Sequence, residues 1–125
     1  MFRRALKGRE KLHGHDAAVT LDVACWLGIS LYCQEKNEEA ETLLRRALEG
    51  NEKLYDYDAA DTLEAARWLG KTLYSQKYHK RAKELFERCE KGLEKLVGPD
   101  HEDTESARRW VVKAKNKIPP GNVSD

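Results

Sequence analysis

Apolar positions along the chain recur every three or four residues, and no stretch alternates with the period of two that a strand would need. Leu21, Ala24, Leu27, Gly28 and Leu31 fall on one stripe at helical spacing, and Ala40, Leu43, Leu44, Ala47 and Leu48 form a second. Ala82, Leu85, Phe86 and Cys89 form the counterpart of that second stripe further along. The pattern predicts an all-α chain of about six helices. A first helix runs roughly over 17–35, with related helices starting near 59 and 101. Second helices follow short turns at Lys36-Asn37 and Tyr78-His79. Asp16, Asp58 and Asp100 stand where an N-cap belongs, because a short carboxylate can accept from the first free backbone N–H groups of a helix. Small residues at Gly28, Ala40 and Ala47 let paired helices approach closely, as an antiparallel hairpin requires.

The stripes are copies of one another. Arg-Arg-Ala-Leu-Lys-Gly-Arg-Glu-Lys-Leu at 3–12 returns as Arg-Arg-Ala-Leu-Glu-Gly-Asn-Glu-Lys-Leu at 45–54, and in worn form as Glu-Arg-Cys-Glu-Lys-Gly-Leu-Glu-Lys-Leu at 87–96. The offset is 42 residues each time, with no gap. Thr20-Leu21 matches Thr62-Leu63, Trp26-Leu27-Gly28 matches Trp68-Leu69-Gly70, and Leu31-Tyr32 matches Leu73-Tyr74. About half the positions of 3–44 are identical in 45–86. Self-similarity of this kind marks an array of stacked units, each too small to bury its own apolar face. The organisation expected is a half repeat at 1–13, repeats at 14–55 and 56–97, a capping helix at 98–118 and a disordered tail at 119–125.

Composition narrows the function classes. Charged residues make up 36% of the chain and nearly cancel to a formal net charge of +1, so there is no global attraction to nucleic acid or anionic membrane. No apolar run approaches the ~20 residues of a membrane span. Cys25, Cys33 and Cys89 are odd in number, and the first two would lie ~12 Å apart along one helix, too far to bridge. Free thiols packed as small apolar residues favour a reducing, cytoplasmic setting.

Leu27-Gly28 followed by Leu31, Ala40, Leu44 and Ala47 resembles the tetratricopeptide pattern. The Arg-Arg-Ala-Leu and Arg-Glu-Lys-Leu strings, with the Asp-x-x-x-Thr-Leu motif, are similar to the 42-residue repeats of kinesin light chains and of the sensor arrays of STAND-type signalling ATPases. The resemblance spans roughly residues 1–116. It implies a right-handed α-solenoid of antiparallel helix hairpins, whose concave wall is built from first helices and receives a protein or peptide segment. Two departures stand out. The family usually carries Asn just before the Leu-Gly pair, where it grips the backbone of a bound peptide; here Trp26, Trp68 and Trp110 hold that place. The family's Gly at the turn between helices is replaced by Glu35 and Lys77, which is expected to stiffen the turn.

Under that resemblance, the first-helix stripe opposite the packing stripe lines the groove. It comprises Asp22, Cys25, Trp26, Ile29, Tyr32 and Cys33, then Glu64, Arg67, Trp68, Lys71, Tyr74 and Ser75, then Ser106, Arg109, Trp110 and Lys113. The candidate partner-binding residues are Trp26, Ile29, Tyr32, Arg67, Trp68, Lys71, Tyr74, Arg109, Trp110 and Lys113. Trp, Tyr and Arg dominate interfaces because they bury large area and keep a polar handle. Each Trp has a second reading as core between neighbouring hairpins. The stripe grows more basic toward the C-terminus, so the expected partner is an acidic, partly apolar peptide or protein segment.

No catalytic residue, cofactor or metal is expected. There is no Gly-rich phosphate loop, nucleophile elbow or Cys/His pair in a catalytic context. His13, His15 and Asp16 could suggest a metal, yet the matching positions are Tyr55, Tyr57 and Asp58 in the next copy. Glu38, Glu39 and Glu41 read as a solvated helix start that complements the helix dipole. The Arg pairs at 3–4, 45–46 and 108–109 could suggest phosphate contacts, yet the first two lie on second helices interleaved with acids, which disfavours nucleic acid. Phe2, Ala5 and Leu6 sit on a second helix whose first-helix partner is not in the sequence. A longer array, self-association into a homo-oligomer through this N-terminal end, or an imperfect cap would each account for it. The alternative function is therefore structural self-assembly, as a piece of a larger STAND-type signalling protein.

Overall fold

The computed structural model describes residues 18–55 and 59–118. Within them lie five α-helices: α1 (Ala18–Cys33), α2 (Asn37–Leu54), α3 (Ala60–Ser75), α4 (His79–Val97) and α5 (Glu102–Asn116). No strand occurs among the described residues. Each helix packs on the next in the chain, and α1 also touches α3. The result is a solenoid of helix hairpins with α1, α3 and α5 as the successive first helices. The half repeat at 1–13, the self-association residues Phe2, Ala5 and Leu6, the residues His13, His15 and Asp16, and the tail at 119–125 lie outside the described residues.

The hairpins close on glycine, and they do so twice over. A Cβ added at Gly28 would meet Leu44 Cγ at 2.7 Å, and one at Gly70 would meet Phe86 Cε1 at 2.8 Å. The reverse contact repeats as well: a Cβ at Gly50 or Gly92 would stand 2.5 Å from a Leu21 or a Leu63 methyl carbon. Each hairpin therefore interlocks through two holes, one glycine on each helix receiving a large side chain from the other. The expected small residues Gly28, Ala40 and Ala47 are buried at this contact, and Gly50 and Gly92 join them. Around these contacts the core is continuous from Ala24 through Leu69 and Phe86 to Ala114.

The turn between helices has a specific geometry. Lys36 N–H donates to the Leu31 carbonyl (2.8 Å) and Glu35 N–H to that of Tyr32 (2.9 Å); Tyr78 to Leu73 (2.9 Å) and Lys77 to Tyr74 (3.0 Å) repeat the pair. This is the Schellman arrangement, which places one residue in the left-handed region. Glu35 has φ 64° and Lys77 φ 71°. The loss of glycine here does not merely stiffen the turn. It puts a side chain where Cβ crowds the backbone, at a cost of about 1 kcal/mol per site.

Helix starts also differ from expectation. The first helix ends at Cys33 rather than near 35, because Gln34 and Glu35 are already in the turn. Asp100 is not the N-cap of α5; His101 is, and its Nδ1 accepts from Asp103 N–H at 3.0 Å. The residue before α3 is Ala59, which offers no side-chain cap, and Asp58 lies outside the described residues. Thr104, fully buried, ties the loop down instead by donating its hydroxyl to the Gly98 carbonyl at 2.8 Å.

Candidate interaction surface

The first helices present their aromatic stripe along one face, and the stripe is a seam between repeats. Tyr32 of α1 meets Trp68 of α3 edge-on, with ring centroids 5.7 Å apart. Tyr74 of α3 meets Trp110 of α5 in the same way at 5.6 Å, 42 residues further on. Such pairs add roughly 0.5–1.5 kcal/mol beyond the area they bury. Phe86 of α4 stacks on Trp110 at 5.2 Å and His79 meets Tyr74 at 5.1 Å, so the C-terminal pair is held from the second-helix side too. Trp68 and Trp110 are thus half-buried and pack against the core between repeats while still reaching the surface. Trp26 differs: it is 59% exposed.

Cations lie over these rings. Lys71 Nζ stands 4.2 Å from the centre of Trp68 and 5.4 Å from that of Trp110. Lys113 Nζ is 4.7 Å from Trp110 and 5.9 Å from Tyr74. Arg67 covers Trp68 at 5.4 Å. The Arg67 charge is answered by Glu64 at 2.9 Å, and the same carboxylate oxygen accepts from the Trp68 indole N–H at 2.7 Å. Lys71, Lys113 and Arg109 have no ion-pair partner among the described residues. Burial holds the Lys71 ammonium below its ordinary value of 10.5, and the neighbouring Arg67 pushes in the same direction.

Toward the N-terminus the wall changes character. Ile29 replaces the lysine and Cys25 the arginine of the later repeats, and both pack against the core. Burial, with Asp61 nearby, raises the Asp22 carboxyl, and burial with Glu64, Asp22 and Asp61 pushes the Cys25 thiol up to about 12. The basic character forecast for the C-terminal part of the stripe is therefore concentrated on Lys71, Arg109 and Lys113.

Beside Trp68 lies a cavity of about 390 Å³ between α3, the end of α4 and the start of α5. Leu63, Leu93, Leu96 and Val97 provide its apolar lining, and Glu64, Arg67 and Asp103 its charged rim. Sequence reasoning did not foresee this cavity, nor the roles of Glu64 and Phe86. The signals were present, since Glu64 stands one helical turn before Trp68 and Leu96 repeats Leu54 at 42 residues, both of them exposed.

The remaining charged clusters are structural. Glu41 accepts from Arg45 (2.8 Å) and from Gln76 (2.9 Å); burial opposes its charge, but these bonds outweigh it and keep the carboxyl below its usual value. Arg88 joins Glu52 across the second helices at 2.7 Å, and Arg108 joins Glu90 at 3.1 Å. Among the described residues no group of His, Cys, Asp and Glu side chains is placed to hold a metal ion, and no helix is long and apolar enough to cross a membrane.

Residues 19–95 match the family model described as tetratricopeptide repeat, which covers more than half of the chain. No curated protein matches the sequence. The chain belongs to the tetratricopeptide repeat family, whose repeats mediate protein–protein interaction.

Proposed function

We propose that this chain is an interaction module whose first-helix face holds an acidic, partly apolar segment of a partner protein in a groove. The observation that carries the reading is that Lys71 and Lys113 rest on Trp faces without a carboxylate of their own. Stacking on a ring restrains a long side chain before a ligand arrives, so less rotamer entropy is lost when a carboxylate binds. The adjacent cavity is large enough for one apolar side chain, with Arg67 at its rim. Trp68 stands between the two features, touching Lys71 on one side and Arg67 and Glu64 on the other. A segment with one apolar anchor and two or three carboxylates fits this chemistry; a basic segment would add to three unanswered cations.

The test is a titration with synthetic peptides of that composition, followed by Trp fluorescence. Binding in the micromolar range should weaken with salt and fall about tenfold in Lys113→Gln, whose side chain is exposed enough to change without harming the fold. An unchanged signal up to high micromolar peptide would remove the reading.

A further inference from the structure

The cations on Trp110 carry more than a general preference for acids. Lys71 and Lys113 both lie over this one ring, so their nitrogens can be no farther apart than the sum of 5.4 Å and 4.7 Å. Both come from first helices, one from α3 and one from α5, and the ring they share is fixed edge-on by Tyr74 and face-on by Phe86. The carboxylate whose charge acts most directly on Lys71 is Glu64, and its Oε1 is already engaged by Arg67 and the Trp68 indole. Arg109, next to Trp110 in sequence, is exposed and has no ion pair among the described residues. At the preceding repeat the counterpart of Lys71 is Ile29, so Trp68 has Lys71 in the place of Lys113 but no second lysine.

We propose that the Lys71–Trp110–Lys113 clamp is a site for a phosphorylated serine or threonine of the partner segment, so that phosphorylation of the partner controls docking. This rests on the reading of the first-helix face as the partner site. A single carboxylate has one negative charge and can answer only one of two restrained ammonium groups. A phosphomonoester carries close to two charges at neutral pH and three acceptor oxygens. It can accept from two ammoniums at ~2.8 Å each and balance both charges. Lys71 is half-buried among the rings, which strengthens its contact relative to open water.

Three peptides of identical sequence, with Ser, Glu or phosphoserine at one position, separate the possibilities by calorimetry on the intact chain. The expected order is phosphoserine over Glu by about tenfold, with Ser weakest. In Lys113→Gln the phosphoserine and Glu peptides should come within about twofold of each other, while Arg45→Gln, on the second-helix face, should keep the full difference. Inorganic phosphate at the same concentration should not compete appreciably. Equal affinity for the Glu and phosphoserine peptides, or an undiminished ratio in Lys113→Gln, would overturn the phosphate site while leaving an acidic-segment groove intact; competition by inorganic phosphate at peptide concentrations would overturn the partner segment as its ligand. Failure of all three peptides to bind would overturn both.

Discussion

The Lys71 ammonium lies 4.2 Å from the centre of the Trp68 ring and 5.4 Å from that of Trp110, so one cation bridges two consecutive repeats. This relationship links the fold to the proposed function. The 42-residue repeat aligns the two tryptophans, the tyrosines of the preceding first helices fix their tilt, and the tilt gives the lysine a place to rest. The contact costs the lysine part of its hydration, which depresses its pKa in the folded chain.

That depression has a pH signature. Between the lowered folded value and the ordinary 10.5, the unfolded chain binds more protons at this position than the folded one, so the contribution of Lys71 to stability rises with pH through that window. Peptide affinity moves the opposite way, because the charged ammonium is the form that binds. An acidic peptide should begin to dissociate at a lower pH than an ordinary surface lysine would allow. Lys71→Arg should flatten this alkaline limb in a fluorescence titration repeated across pH.

The interlocking glycines give a prediction with an unusual sign. Ala in place of Gly inside an exposed helix is ordinarily stabilising by about 1 kcal/mol. At Gly50 and Gly92 the added carbon would stand 2.5 Å from a leucine methyl of the facing helix. Gly50→Ala and Gly92→Ala should each destabilise by about 1–3 kcal/mol in urea denaturation. Leu21→Ala introduced with Gly50→Ala should recover part of the loss in a double-mutant cycle, because it empties the space that the new methyl needs.

Glu35 and Lys77 predict the reverse. Both occupy the left-handed position of a Schellman turn. Glu35→Gly and Lys77→Gly should each raise stability by about 0.5–1 kcal/mol, since relief of the backbone crowding exceeds the entropy that glycine adds to the unfolded chain. Thermal unfolding of the single and double variants measures it, and the two gains should add.

The three thiols should separate by reactivity. Burial drives the Cys25 and Cys89 thiols up to about 12, and Cys89 Sγ also approaches the Leu63 carbonyl at 3.5 Å. Cys33 is exposed, which departs from the expectation that all three pack as apolar residues. At pH 8 a maleimide or iodoacetamide should label one thiol per chain quickly, at Cys33, and the other two only as the chain opens.

How much of this could be read from the residues differs by level. The helices and their order followed from the 3.6-residue stripes and the 42-residue offset, because a helix writes its buried face into the spacing of its own side chains. Gly50 and Gly92 recur in the sequence string as plainly as Gly28 and Gly70, but the reason lies on the opposite helix and appears only when the hairpin is closed. The cap of α5 is His101 rather than Asp100, since the His101 side chain is the one that accepts from Asp103 N–H. Trp68 and Trp110 stand out in the sequence as candidates, yet whether they pack between hairpins is a question about the neighbouring repeat. The seam shows their packing against that repeat. Trp26 lacks the equivalent contact among the described residues, and nothing local in its sequence distinguishes it.

The indole N–H resonances of the three tryptophans offer the most direct measurement, recorded in a ¹⁵N correlation spectrum while an acidic peptide with one apolar anchor is added. Trp68 and Trp110 should shift together along one saturable curve, both shifts should shrink in Lys113→Gln, and backbone signals of Arg45 and Arg88 on the second helices should stay still. Movement of the second-helix signals with Trp68 and Trp110 unperturbed, or no saturable shift at any indole, would contradict it.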